Sequence, residues 1–262
     1  EVDEGGAPGF FLHGAKLMLA EGEGAKLSPE GIAALIDPIR NDVHQVQPHA
    51  IAITQASEYG RTYGPDELAA LGSFAQSRKL GLHMDGARFA NALVALGCTA
   101  AEMTWKLGID AVSFGGTKNG CMGVEAVVIF DKSKNQEFEY RRKRGAHLFS
   151  KHRYLAAQMQ GYLQDGLWLD LARTANERMA RLARGLGQIP GVTFSTEPHA
   201  NMLFPRLPRA MHRRLMAQGA YYYLYDGTLE DGPDEAPITC RLVCDWSVTD
   251  ATIDRFLSVA RD

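Results

Sequence analysis

The stretch from Leu82 to Phe130, "LHMDGARFANALVALGCTAAEMTWKLGIDAVSFGGTKNGCMGVEAVVIF", decides how this chain is read. "LHMD" is a short apolar strand that ends in a carboxylate, Asp85. "GARFANALVALG" has the apolar spacing of a helix, and "TAAEMTWKLG" reads as another, opened by a Thr99-x-x-Glu102 capping box. "DAVSF" (110–114) is a strand that runs straight into "GGTKNGCMG", where Lys118 stands among four glycines. "EAVVIF" (125–130) shows no polar alternation and reads as a buried strand. Strands separated by helical stretches point to an α/β fold with a largely parallel sheet.

Lys118 follows Asp85 by 33 residues, with one helical region and one strand between them. Neighbouring parallel strands would then aim both residues at one crevice at their carboxyl ends. A Walker-type phosphate loop needs glycines before the lysine and a hydroxyl after it. Here Thr117 precedes Lys118 and Asn119 follows, so that motif fails, and no G-x-G-x-x-G follows a strand. A lysine that bonds a carbonyl carbon must shed a proton near neutral pH, which favours a confined place. If the carbonyl is that of pyridoxal phosphate (PLP), a carboxylate at the ring nitrogen is also required, and Asp85 supplies one. Arg88, three residues on, falls at the start of the next helix beside the same opening.

Each residue also has a plainer reading. Asp85 before "GARF" could be only a helix cap, and Lys118 only a solvated turn residue. His83 reads as a packed or hydrogen-bonded strand residue. With Asp85 it offers two potential ligands, too few for a metal site.

Outward from this stretch, the helix grammar repeats. "SPEGIAALIDPIR" opens with Ser28 as cap and Pro29 at the first helical position. "HAIAIT" (49–54) is β-like, and "GPDELAALGSFAQSRKLG" (64–81) is a helix with Gly81 as its stop. Residues 131–187 are mostly helical. The C-terminal part alternates, with strands near 191–195, 201–207, 220–225 and 239–246, a helix near 208–218 and a closing amphipathic helix. The expected organisation is a large domain over residues 1–170 and a small α+β domain over 171–262.

With 262 residues, 45% hydrophobic and 23% charged, the chain can bury a sizeable core. A net charge of −3 gives no electrostatic reason to expect nucleic acid or an anionic membrane as partner. The cluster "YRRKRG" (140–145) reads as a solvated helix end. Four scattered cysteines without a C-x-x-C pair fit free thiols in a reducing cytoplasm. No apolar stretch reaches membrane-spanning length. The opening "EVDEGGAPGFF" reads like the inside of a domain, and a natural N-terminal segment is expected before it.

The stretch 82–130 taken whole resembles the low-specificity L-threonine aldolase and phenylserine aldolase group. That group lies in the β-eliminating-lyase superfamily of fold-type I PLP enzymes. "EVDEGGAP", "ITQASEYG", "PDELAAL", "ANMLFPRL" and "CRLVCDW" extend the similarity over nearly the whole chain. The resemblance implies an aspartate-aminotransferase-like large domain, PLP as cofactor, and retro-aldol cleavage of β-hydroxy-α-amino acids to glycine and an aldehyde. It implies Lys118 as the cofactor lysine and Asp85 as the carboxylate at the pyridine nitrogen. Arg88 matches an arginine of the cofactor and substrate pocket, and Arg241 the arginine that holds the substrate carboxylate. Thr117 falls beside the cofactor, and Glu4 matches an acidic residue near the ring. At Glu58, in "QASEYG", many relatives carry a histidine that contacts the substrate β-hydroxyl, so the proton acceptor is left open. The phosphate cup and the ring-stacking histidine of the family fall upstream of Glu1. A homodimer or homotetramer is implied, with Lys143 a position through which one subunit would reach its neighbour's phosphate site. Two alternatives stand beside this reading: another fold-type I PLP lyase such as a β-eliminating one, and a cofactor-free, non-catalytic relative.

Overall fold

The computed structural model describes residues 3–262. Helices α1 (Ala7–Phe11) and α2 (Pro29–Ile36) precede an alternating run of β1 (Ala50–Thr54), α3 (Pro65–Arg78), β2 (Gly81–Gly86), α4 (Phe89–Leu96), β3 (Ala111–Gly115) and β4 (Glu125–Ile129). The predicted helix starts hold. Ser28 Oγ accepts the Gly31 N–H at 3.1 Å, and the Glu67 carboxylate accepts the Gly64 N–H at 2.7 Å. The stop of α3 differs: Lys79 takes the left-handed conformation at φ 57°, which leaves Gly81 free to begin β2.

The first sheet has the order β1-β2-β3-β4, with β1, β2 and β3 parallel and β4 antiparallel to β3. Side chains alternate across it. Ile51, Ile53, Leu82, Met84, Val112 and Phe114 are buried in one core with Leu68, Leu71 and Ala75 of α3 and Ala92 and Leu93 of α4. Full burial of a side chain such as Leu82 or Met84 contributes about 1.5–3 kcal/mol. The other face carries Ala52, His83, Asp85, Ser113 and Val127, none of them fully buried.

Two sequence expectations fail here. Residues 99–107 form turns and one 3-10 turn (Trp105–Leu107) instead of an α-helix. The capping box does close, with the Thr99 N–H on Glu102 at 2.9 Å and the Glu102 N–H on Thr99 Oγ1 at 3.3 Å. The chain is then drawn onto α3, where a Cβ on Gly72 would stand 1.8 Å from the Leu107 oxygen. That close tertiary approach overrides local propensity. β4 was expected to be buried, yet only β3 flanks it, and Val127 is 46% exposed.

Helices α5 (Asn135–Arg144), α6 (Arg153–Leu163) and α7 (Leu167–Leu186) follow, then β5 (Thr193–Phe194), β6 (Met202–Leu203), β7 (Pro205–Pro208), α8 (Arg209–Ala217), β8 (Tyr223–Leu224), β9 (Pro237–Val243) and α9 (Asp250–Arg261). The basic end of α5 is exposed, with Arg141 on Glu137 at 2.8 Å. The second sheet is antiparallel, ordered β5-β7-β9-β6 with β8 also on β9. Of "AYYYLY" only Tyr223 and Leu224 pair as strand. This sheet has its own core, built from Met179, Leu186, Leu203, Leu207, Leu215, Leu242, Ile253 and Leu257. The division into residues 1–170 and 171–262 stays a proposal beside these two cores, since Leu171 and Ala200 pack with the first. α7 serves both, with Leu169 and Leu171 against the first and Met179 onward in the second.

Candidate active site

Asp85 lies at the carboxyl end of β2, paired across the sheet with Thr54 on β1 and Ser113 on β3. Its Oδ1 accepts the Ala87 N–H at 2.9 Å. That bond is a local turn closed by an aspartate, which fixes the carboxylate. The helix proper starts later, with Arg88 at the cap of α4. The side chain of His83, two residues back on the same face, meets Ser113 Oγ at 2.9 Å. Burial holds the His83 imidazole below its usual value, opposed by the negative charge of Asp85.

β3 delivers the chain into the turn that bears Lys118. The ends of β2 and β3 approach closely there, and glycine makes this possible. A Cβ on Gly115 would stand 2.5 Å from the Ala87 oxygen, and one on Gly86 would stand 2.8 Å from the Ser113 oxygen. Lys118 is exposed on this turn, while Asn119 beside it is buried. The Asn119 amide donates to the Tyr162 hydroxyl at 2.6 Å and to the Trp168 carbonyl at 2.8 Å. Thr117 donates its backbone N–H to Glu125 at 3.2 Å, and its hydroxyl points to the Val124 carbonyl at 3.5 Å.

Arg88 is buried, 7% exposed, and its Nη1 has no hydrogen-bond partner. Glu58 stands 4.0 Å from that nitrogen. Burial lowers the proton affinity of the guanidinium; Arg241 adds to this, while Glu58 and Asp85 oppose it. Arginine remains charged regardless. Arg88, Glu58, Asp85 and Arg241 therefore share one electrostatic neighbourhood. Arg241 comes from β9 of the second sheet, half-buried, with its guanidinium 5.9 Å from the centre of the Tyr223 ring.

Glu58 and Tyr59 project from a loop pinned beneath them. Gln55 bonds both backbone groups of Tyr63, at 3.0 and 2.9 Å, and Ser57 Oγ donates to the Gly24 carbonyl at 2.6 Å. The Tyr59 ring packs on Phe204 with centroids 5.2 Å apart, so this loop touches the second sheet.

Of the residues singled out from sequence, Asp85, Arg88, Glu58 and Arg241 share one electrostatic neighbourhood, and Thr117 and Lys118 follow the end of β3, the strand paired with that of Asp85. Glu4 sits exposed in a 3-10 turn, and no hydrogen bond or ion pair among the described residues ties it to this group. Lys143 donates to the Leu148 carbonyl at 3.3 Å, on the exposed end of α5. Sequence reasoning passed over Glu125, Gln158, Asn119 and Tyr162, which hold the Lys118 turn. Only Asn119, beside the lysine, carried a local signal.

Residues 1–207 match the family described as beta-eliminating lyase. A low-specificity L-threonine aldolase of Pseudomonas aeruginosa is 41% identical over 262 residues, covering 100% of this chain and 72% of that protein. A second low-specificity L-threonine aldolase, from another Pseudomonas strain, is 41% identical over 253 residues, covering 97% of this chain and 70% of its own length. The solved threonine aldolase of Leishmania major superposes with a TM-score of 0.88 at 25% identity, over 99% of this chain and 73% of that one.

Proposed function

Because the chain belongs to the beta-eliminating lyase family, we propose that it cleaves β-hydroxy-α-amino acids to glycine and an aldehyde with pyridoxal 5′-phosphate as cofactor. Substrates of the L-threonine, L-allo-threonine or phenylserine type fit this reading. The observation that carries it is the placement of Asp85 and the Lys118 turn at the ends of two paired parallel strands. The buried, unpartnered Arg88 Nη1 beside them has the character of an anion site awaiting its ligand.

The residues present fit the cofactor. Asp85 is anchored through one carboxylate oxygen, which leaves the other for a ring N–H. Lys118 is exposed on a turn whose neighbours are fixed, so its amine can reach a carbonyl carbon. Lys118 would bond the cofactor and Asp85 would hold its ring nitrogen protonated, with the Thr117 hydroxyl alongside. The bound cofactor supplies an electron sink for the pair left on Cα when the Cα–Cβ bond breaks.

The chain's own part is orientation and proton traffic. Arg241, from β9, and Arg88, from the cap of α4, grip the substrate carboxylate; a planar guanidinium can do so through two parallel hydrogen bonds. That grip sets which bond at Cα stands ready to break. Glu58, exposed and 4.0 Å from Arg88, contacts the substrate on its β-hydroxyl side.

A homodimer or homotetramer completes the proposal, supported by the exposed apolar side chains of Phe10, Leu19 and Tyr154. Among the described residues no helix is long and apolar enough to cross a membrane. The four free thiols fit the cytoplasmic placement proposed from sequence.

The test is the visible spectrum of the protein with added PLP, before and after borohydride, beside Lys118→Ala. A band that borohydride fixes covalently, absent in the variant, is expected. Glycine release from threonine, allo-threonine and phenylserine then reports the bond cleaved. Absence of any band in the wild type overturns the proposal.

A further inference from the structure

Arg88 and Arg241 bring two positive charges to one neighbourhood, and Asp85 and Glu58 bring two negative ones. In the reading above, Asp85 is paired with the protonated ring nitrogen of the cofactor, which leaves the other three groups to face the substrate. One substrate carboxylate balances one arginine. The second arginine would then favour a second carboxylate, and the site would suit a dicarboxylic amino acid. Glu58 changes that balance, because the protein itself supplies the second negative charge.

The geometry of Glu58 fits such a role. Its carboxylate stands 4.0 Å from Arg88 Nη1, within ion-pair range but too far for a hydrogen bond. Nη1 is therefore still open to a ligand oxygen, with a negative charge already beside it. The Arg88 side chain is 8% exposed and that of Glu58 59%, so Glu58 flanks a buried guanidinium from the solvent side. The loop beneath it is tied down before and after position 58. The Ser57 N–H donates to the Arg61 carbonyl at 2.8 Å, and Ser57 Oγ to the Gly24 carbonyl at 2.6 Å. The Tyr59 carbonyl accepts from Thr196 Oγ1 at 3.1 Å, and the Gly60 carbonyl accepts the His199 N–H at 3.3 Å. The backbone cannot carry the carboxylate away without breaking these bonds.

We propose that Glu58 is a specificity-determining residue that matches the site to β-hydroxy-α-amino acids with an uncharged side chain and rejects those bearing a second carboxylate. The inference rests on the reading of Arg88 and Arg241 as the pair that holds the substrate carboxylate. Rejection works by repulsion built against the wrong ligand. With Glu58 present, no excess positive charge remains to offset a second anion.

Asparagine and aspartate have nearly the same shape, differ by one charge and lack the hydroxyl that cleavage needs. Their binding is read from the change each makes in the visible band of the protein with PLP. The kcat/KM values for 3-hydroxyasparagine and 3-hydroxyaspartate give the same comparison with turnover. The wild type is expected to bind asparagine roughly 10-fold more tightly than aspartate. Glu58→Gln narrows that ratio by roughly 3- to 10-fold, an effect limited by solvent screening and smaller still at high salt. Glu58→Asp keeps the charge and retains most of the discrimination. An equal ratio in wild type and Glu58→Gln overturns the proposal, and so does a wild type that binds both amino acids equally well. A wild type with no band on adding PLP overturns the cofactor reading instead. A band that neither amino acid alters overturns the carboxylate role of the two arginines, and the role of Glu58 falls with it.

Discussion

Asn119 and Tyr162 lie 43 residues apart and meet inside the first core, the amide of one donating to the hydroxyl of the other at 2.6 Å. The same amide donates to the Trp168 carbonyl, so one buried side chain ties the Lys118 turn to α6 and to the start of α7. Burial pushes the Tyr162 phenol up to about 12, which keeps it neutral and able to accept. This pair holds the Lys118 turn at Asn119, as Glu125 holds it at Gly116 and Thr117.

Asn119→Ala leaves the Tyr162 hydroxyl and the Trp168 carbonyl without their donor. A loss of about 1–3 kcal/mol in urea unfolding is expected. Tyr162→Phe keeps the Asn119–Trp168 bond and costs about 1 kcal/mol. Weaker PLP binding should follow the same order. Equal PLP affinity in Asn119→Ala and wild type contradicts the anchoring role.

Arg241 reaches the opening from the second sheet, and its loss should be felt by substrate more than by cofactor. Removing a charged hydrogen-bonding partner of a carboxylate costs about 1.5–3 kcal/mol, so Arg241→Ala raises KM for phenylserine roughly 10- to 100-fold. Arg241→Lys keeps the charge without the fork and recovers only part of this. Tyr223→Ala, which removes the ring 5.9 Å away, is the comparison. Steady-state kinetics decides, and an unchanged KM in Arg241→Ala removes the arginine from the carboxylate site.

The strand that carries Asp85 and the strand that runs into Lys118 were legible because apolar runs of four to five residues end in turn chemistry that no helix tolerates. Ser28, Pro29, Pro65 and Glu67 marked their helix starts for equally local reasons. What failed was set by distant partners. β4 has the composition of an interior strand but lies at the edge, because nothing in its own residues says how many neighbours it has. Residues 99–107 carry a working cap yet fold onto Gly72 of α3. Glu125 looked like any strand-end carboxylate until its oxygens were seen on Gly116 and Thr117. Arg88 was named from its spacing after Asp85 and Glu58 from resemblance, and their 4.0 Å approach joins residues 30 positions apart.

His212 is fully buried, with Nε2 at 3.0 Å from the Ile238 carbonyl and Nδ1 at 2.9 Å from the Tyr222 hydroxyl. A carbonyl only accepts, so Nε2 carries the hydrogen and Nδ1 accepts from Tyr222. Burial holds this imidazole below its usual value, and it does the same for His83 and His199. The unfolded chain therefore binds more protons than the folded one once the pH drops toward the ordinary histidine value. The associated stability is fully present above about pH 6.5 and is lost as the pH falls through the depressed folded values. Urea midpoints from pH 8 to 5.5 should decline increasingly below about pH 6.5. His212→Gln should flatten that decline even though it lowers stability at pH 8. A decline of equal slope in the variant assigns the effect to other groups.

Gly115 is where the two halves of the site come closest, since a Cβ there would stand 2.5, 2.7 and 2.8 Å from backbone atoms of Ala87. None of those atoms belongs to a flexible side chain, so a methyl group must push the end of β3 away from the end of β2. Gly115→Ala is expected to cost about 1–3 kcal/mol, as other overpacking substitutions do. Because the displaced segments carry Asp85 on one side and Lys118 on the other, PLP affinity should fall further than the stability loss alone explains. Gly123→Ala is the control in the same turn, where a Cβ would meet nothing within 4 Å. Urea unfolding and PLP titration of both variants give the answer. If Gly115→Ala unfolds earlier yet binds PLP as tightly as Gly123→Ala, the spacing of Asp85 and Lys118 does not depend on this contact. The strand pairing of Asp85 with Ser113 would then have to hold the geometry unaided.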